Sequence, residues 1–344
     1  MSHLIRAAAL ALALGLATPA MALSGPEQPA PHPPPACTGT NLLEAAERAN
    51  PTAYQTILDR TKAITNAEGL LWRIEKPGMP PSYLFGTIHV TDDRAVAIAR
   101  SMEKYIEGAH SVATELGEFM SPGMQAALAM KAAFRALTDH TDTAALIPSE
   151  EDRRRVADVL TRLDLDPDKM LHVPPWLLVS AFALPPCEFA RQKLSLPPVD
   201  EVIVDTGKRL GIEVVGLETI DEQLDAIQSL DPKLLARSIT IVAQKKERAD
   251  DIFATLMALY QEQRVGELLP VMEILVDATP EDVAADRALT LTLLEKRNLV
   301  MRKRAEPLID AGPAFIAVGA LHLVGEHGLV ELFRQDGYTV TRVQ

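Results

Sequence analysis

One short pattern occurs twice, near opposite ends of this chain, and it restricts the fold more than any other feature. In Tyr83-Leu-Phe-Gly-Thr-Ile-His89 an apolar run is closed by Gly86, and a histidine follows three residues later. In Phe315-Ile-Ala-Val-Gly-Ala-Leu-His322 the same order recurs around Gly319. Two further apolar runs end in an acid: Val112-Ala-Thr before Glu115, and Val214-Val-Gly-Leu before Glu218. Short apolar runs of this kind, bounded by glycine, read as strands of one sheet. Such a sheet buries apolar surface against helices packed over it.

The chain supplies those helices. Leu42 to Thr65 reads as one or two helices broken at Pro51. Gly69 to Glu75 and Ser82 to Ile88 read as strand, turn, strand across Pro77, Gly78, Pro80 and Pro81. Asp92 or Asp93 caps a helix running to Tyr105, and Ser111 to Leu116 is a third strand. From Pro122 to Ala190 the pattern is helical, punctuated by Pro148, Pro167, Pro174-Pro175 and Pro185-Pro186. Ser149 with Asp152 reads as a capping box, as does Thr219 with Glu222. A helix over Val199–Leu210 leads through Gly211 into a strand at Glu213–Leu217, and Ile220 to Ile309 is again helical. A strand at Ala314–Gly319, a helix over Val324–Asp336 and a strand at Tyr338–Val343 close the chain. Strand-rich ends around a helix-rich middle predict an α/β fold. Its central mixed sheet is built from N- and C-terminal strands, with flanking helices and a large helical cap.

The N-terminus carries a different message. Arg6, the apolar stretch Ala7–Ala17, Pro19 and Ala20-Met21-Ala22 have the form of a cleavable signal peptide over residues 1–22. The apolar stretch falls short of the roughly 20 residues that span a bilayer. No later segment is long and charge-free enough to do so, so no transmembrane segment is expected after cleavage. A Pro-rich linker over 23–36 follows, and the domain is expected to run from 37 to 344. Export places the protein in the periplasm or outside the cell. With two cysteines in an oxidising compartment, a Cys37–Cys187 disulfide is expected, against two separate thiols. Of the 344 residues 47% are apolar, enough for a sizeable core. The formal charge of −13 without a basic cluster argues against nucleic acid as a partner.

The chemistry rests on the four strand ends. In open α/β sheets ligands bind beyond the carboxyl ends of the strands. His89, Glu115, Glu218 and His322 would converge there if their strands are parallel neighbours. Two histidines and one or two carboxylates can hold a divalent metal with a position left for water. One carboxylate can instead serve as general base. The competing reading makes one or both histidines structural. Glu218 has a rival role beside the Thr219 cap, which ranks Glu115 above it. Arg297, followed by Asn298 on a long helix, is a candidate to orient a carboxylate or a substrate carbonyl. Met120, Met124 and Met130 read as core or cap packing. No G-x-S-x-G elbow, P-loop or dinucleotide fingerprint is present.

Taken in order, Leu71-Trp-Arg-Ile, Tyr83 to His89, Val112 to Glu115, Val214 to Thr219 with Gln223, Arg297-Asn298, Val318 to Gly325 and Gly337-Tyr-Thr-Val resemble the TraB/GumN family. The likeness covers nearly the whole chain from Cys37. That family is similar in turn to Tiki-type metalloproteases, with their two G-x-x-H motifs, and distantly to erythromycin-esterase and ChaN-like folds. The resemblance implies a metal-dependent hydrolase, peptidase-like, acting on a peptide or small-molecule substrate through metal-activated water. By position it implies His89, His322, Glu115 and, more weakly, Arg297 as catalytic residues. His89, His322, Glu115 and Glu218 are the implied ligands of manganese, cobalt or zinc. The rival readings are a non-catalytic binding protein for a peptide, haem or sugar, and an accessory factor in envelope polysaccharide export.

Overall fold

The computed structural model describes residues 34–118, 121–182, 184–275 and 289–343. The expected signal peptide, the linker up to residue 33, Met120 and residues 276–288 of the helical stretch lie outside these residues.

Six strands form one sheet: β1 (Leu71–Glu75), β2 (Ser82–Thr87), β3 (Ser111–Thr114), β4 (Glu213–Gly216), β5 (Ala314–Gly319) and β6 (Thr339–Arg342). Their order is β4-β3-β5-β2-β1-β6. β4, β3, β5 and β2 are successive parallel neighbours. β1 is antiparallel to both β2 and β6, which makes the sheet mixed, as expected. β4, reached only after the first long run of helices, is an edge strand of this same sheet.

Side chains alternate between two cores, as a pleated strand requires. Phe85, Val112, Phe315 and Ala317 point to one. Trp72, Ile74, Leu84, Ala113, Ile316 and Val318 point to the other. All six residues of β5 are buried. Its run of unbroken hydrophobicity reports a strand covered on both faces.

Among the helices are α1 (Leu42–Ala49), α2 (Pro51–Lys62), α3 (Asp93–Arg100), α4 (Pro122–Thr138), α5 (Glu150–Arg162) and α6 (Pro186–Lys193). They continue with α7 (Val199–Arg209), α8 (Ile220–Gln228), α9 (Pro232–Gln244), α10 (Ala249–Gln261), α11 (Lys296–Ala311) and α12 (Leu329–Gln335). On one face of the sheet Met301, Ala305 and Ile309 of α11 pack with Leu329, Val330 and Phe333 of α12. On the other lie Val96 of α3, Ile203 of α7 and Tyr260 of α10. That second core continues without a break into the helical cap, through Val156 and Leu160 of α5 and Leu235 and Ile239 of α9. Burying side chains of this size is worth about 1.5–3 kcal/mol each.

Local signals set the helix ends. Asn50 caps α2 with Pro51 at the first helical position, and Asp92 caps α3. The Thr219–Glu222 box closes in both directions at the start of α8. The Ser149–Asp152 box is half formed: the Asp152 N–H donates to Ser149, while its carboxylate accepts from Arg155 and Gln244. The last helix begins at Leu329, not at Val324. A short 3₁₀ turn over Ala320–Leu323 carries His322, and Gly325 follows in the left-handed region at φ +88°. Met130, read as packing, stands in solvent.

Cys37 and Cys187 form a disulfide, with Cα atoms 5.3 Å apart and a sequence separation of 150. It fastens the start of the described chain to α6.

Candidate active site

The parallel run β4-β3-β5-β2 brings four strand ends to one edge of the sheet. His89 follows β2, Glu115 follows β3, Glu218 lies just beyond β4 and His322 just beyond β5. Glycine makes the close approach possible. A Cβ on Gly86 would lie 3.0 Å from Ala320 Cα, so the two histidine-bearing turns touch backbone to backbone there. Tyr260, buried on α10, donates its hydroxyl to the Gly86 carbonyl at 2.8 Å and fixes that turn from the cap side.

Each histidine is held through one ring nitrogen. His89 Nδ1 lies 2.7 Å from Asp200 Oδ2, and Thr87 donates its hydroxyl to Asp200 Oδ1. His322 Nδ1 lies 2.6 Å from the side-chain oxygen of Asn298, whose amide nitrogen donates to the His327 carbonyl. A carboxylate or amide oxygen at Nδ1 takes the proton there and leaves Nε2 as the free electron-pair donor. Among the described residues both Nε2 atoms are buried with no hydrogen-bond partner. Both face the same atom, Glu115 Oε1, at 3.9 Å from His89 and 3.8 Å from His322.

Glu115 is fixed from the other side. Its Oε1 accepts the Gly319 N–H at 2.8 Å, and its Oε2 accepts from Arg297 Nη2 at 2.6 Å and from Gln223 at 3.2 Å. Arg297, on α11, also donates to Glu218 through Nε and Nη2, and Gln223 donates to Glu218 at 3.3 Å. Glu218 is therefore turned to the guanidinium, and Glu115 alone spans from the arginine to the histidines. Glu115, Glu218, Arg297, Asn298, Gln223 and His322 are all buried.

These contacts set the charges. Burial alone raises Glu115, but the Arg297 guanidinium and the two imidazoles outweigh it and hold the carboxyl at about 2. Burial lowers His89, yet the Asp200 and Glu115 carboxylates lift it to about 9. Burial and the neighbouring Arg297 charge push His322 down to about 3. Arg297 stays charged, because Glu115 and Glu218 overcome its own desolvation. Glu115 and Glu218 thus share the Arg297 guanidinium, while Asp200 pairs with His89.

Two orphaned imidazole nitrogens and one carboxylate oxygen, facing one another, fit a divalent cation. A buried nitrogen left unpaired costs about 1–3 kcal/mol, and two aimed at one oxygen need a shared partner. An N,N,O donor set suits zinc, manganese or cobalt. Among the described residues no three such side chains are already closed to ligand spacing. The gaps at Glu115 Oε1 are instead wider than a hydrogen bond.

The four sequence-predicted strand-end residues and Arg297 all meet here. Asp200 and the role of Asn298 were not legible. Asp200 lies 111 residues from His89, in the first turn of α7, where an acid also suits the helix N-terminus. Asn298 stands beside Arg297, and only the three-dimensional path of α11 shows that it meets His322. His172 pairs with Asp142 at the surface, and the His327 ring is exposed.

A mixed sheet whose four parallel strand tips gather two histidines around a buried acid–arginine cluster defines an α/β protein built about one polar site. The TraB/PrgY/gumN family matches residues 70–342, and the chain belongs to it. It is similar to metalloprotease TIKI2 of Danio rerio, 24% identical over 328 residues, covering 82% of this chain and 62% of that protein. It is likewise similar to metalloprotease TIKI1 of Danio rerio, 24% identical over 319 residues, covering 80% and 63%. The chain therefore spans less than two thirds of the length of these relatives. No solved structure matches it. No helix among the described residues is long and apolar enough to cross a membrane.

Proposed function

We propose that this chain is an exported, metal-dependent hydrolase acting on peptide bonds, with His89, His322 and Glu115 holding a divalent manganese, cobalt or zinc ion. The observation that carries this reading is the pair of buried, unpartnered Nε2 atoms facing Glu115 Oε1. Such an ion, when bound, lowers the pKa of water towards roughly 7 and polarises a carbonyl.

The chain's own residues divide the remaining work. Asp200 and Asn298 keep the two rings in the tautomer that presents Nε2. Glu115 stays ionised against its own burial because the Arg297 guanidinium and the imidazoles face it, and its Oε1 stands opposite both Nε2 atoms, so we assign it to hold the cation. Arg297 and Gln223 fix the Glu115 carboxylate in place, and Glu218 anchors Arg297. Glu218 and Arg297 are then positioning residues. The disulfide suits export, because such bonds persist in oxidising compartments. The likeness to two proteins named metalloproteases supports peptide-bond hydrolysis.

The test is hydrolysis of an unfolded protein such as casein, with manganese, cobalt and zinc added in turn. At least one ion is expected to support cleavage, and His89→Ala and His322→Ala are each expected to lose it by about 100-fold or more. Cleavage by His89→Ala at the wild-type rate would remove the mechanism.

A further inference from the structure

Helix α4 buries Leu128 and Ala132 on its inner side and is apolar on its outer side as well. Its two charged residues face α8: Lys131 donates to Asp221, and Arg135 donates to Asp221, Asp225 and Gln228. Its exposed positions are Pro122, Gly123, Ala126, Ala129, Met130, Ala133, Phe134, Leu137 and Thr138, none of them charged. Met130 and Phe134 are each 68% exposed and Leu137 is 78% exposed. Large side chains at i, i+4 and i+7 on one helix face form a continuous apolar stripe. A contiguous apolar surface of this kind marks an interaction site.

We propose that this face binds a second copy of the chain, as an antiparallel pair of α4 helices related by a two-fold axis at Met130. Size complementarity argues for it. The exposed face is small in its N-terminal half, with Gly123, Ala126 and Ala129, and bulky in its C-terminal half, with Phe134 and Leu137. An antiparallel partner centred on Met130 sets Phe134 at the level of the partner's Ala126 and Leu137 at the level of the partner's Gly123. Bulky residues then fall against small ones on both sides, as an isologous interface requires.

Charge argues the same way. The chain carries a formal charge of −13, so two copies repel over most of their surface. The outer face of α4 is a strip where they can meet without opposing like charges. A membrane fits less well. Helices that lie on lipid present Lys and Arg at the edge of the apolar face, and here both cations are committed to Asp221 and Asp225. A helix of 17 residues is about 25 Å long. Its contact sits at the low end of stable interfaces, so a dissociation constant on the order of 10 μM is expected.

Two measurements on the purified chain decide it. Sedimentation velocity over a concentration series should show monomer passing to dimer, and Phe134→Glu should remain monomeric with an unchanged melting temperature. A short bis-maleimide should link Met130→Cys to itself, while Lys62→Cys, exposed on α2, should not link. A monomer at all concentrations up to about 200 μM, or a dimer undisturbed by Phe134→Glu, would overturn the proposal. So would a monomer that binds phosphatidylcholine vesicles through Phe134, which would give the face to lipid.

Discussion

Asp200 shows how one residue, remote in sequence, sets the chemistry of another. Its carboxylate accepts from His89 Nδ1 and from the Thr87 hydroxyl, so the ring is fixed in both tautomer and orientation. Replacing it by Asn keeps the shape and removes the charge. Asp200→Asn is expected to weaken cation affinity 10–100-fold, as loss of the group that orients a ligating imidazole does, with little loss of fold. Competition against a metal-sensing dye reads this directly; affinity equal to wild type would show that the Asp200 contact does not tune the ring. Asn298 plays the parallel part for His322 without a charge. The sequence pattern located His89, His322, Glu115 and Glu218 because strand periodicity and the closing glycine are local signals. It did not locate Asp200, because a contact across 111 residues leaves no local trace.

At the scale of elements, the turn after β2 is clamped by α6. Glu188 accepts the Thr91 N–H, and Arg191 donates to the Thr91 hydroxyl and carbonyl. Both side chains are buried, and both lie on the helix tethered by Cys187. Burial raises the Glu188 carboxyl to about 7, against the pull of the Thr91 amide and Arg191. The native state then keeps a proton that the unfolded chain has released between pH 4.5 and 7. Stability from this group is full below about pH 4.5 and is lost as pH rises through 7. The loss across that window amounts to about 3 kcal/mol. Glu188→Gln cannot titrate, so its stability should fall less than the wild type's by that amount. Urea unfolding of both proteins at pH 5 and pH 7.5 checks this; parallel pH profiles would contradict it. Prolines and apolar periods predicted the strands and most helices. The start of α12 was misread because Val324-Gly325 continues the apolar pattern while Gly325, at φ +88°, breaks the backbone.

At the scale of the whole molecule, the sheet and the helical cap share one continuous core, and the disulfide links the start of the described chain to that cap. A bond closing so long a loop removes much of the unfolded chain's freedom. Replacing both cysteines by serine should destabilise the protein by about 2–4 kcal/mol and lower its melting temperature by roughly 5–15 °C. Scanning calorimetry of the two proteins is the check, and an unchanged melting temperature would show that the arm adds nothing to the fold. The α/β architecture was legible because both ends of the chain are strand-rich. The order β4-β3-β5-β2 was not, since pairing between strands roughly 100 to 230 residues apart depends on crossovers that no local pattern encodes.

The central claim is that His89, His322 and Glu115 hold a cation, and the most direct measurement is metal content. Elemental mass spectrometry of the purified chain, after equilibration with manganese, cobalt and zinc, should find about one divalent ion per chain. The His89→Ala/His322→Ala double variant, prepared in the same way, should hold none. Neither protein retaining an ion, or both retaining it equally, would contradict the account and recast the two histidines as ligand contacts or structural residues.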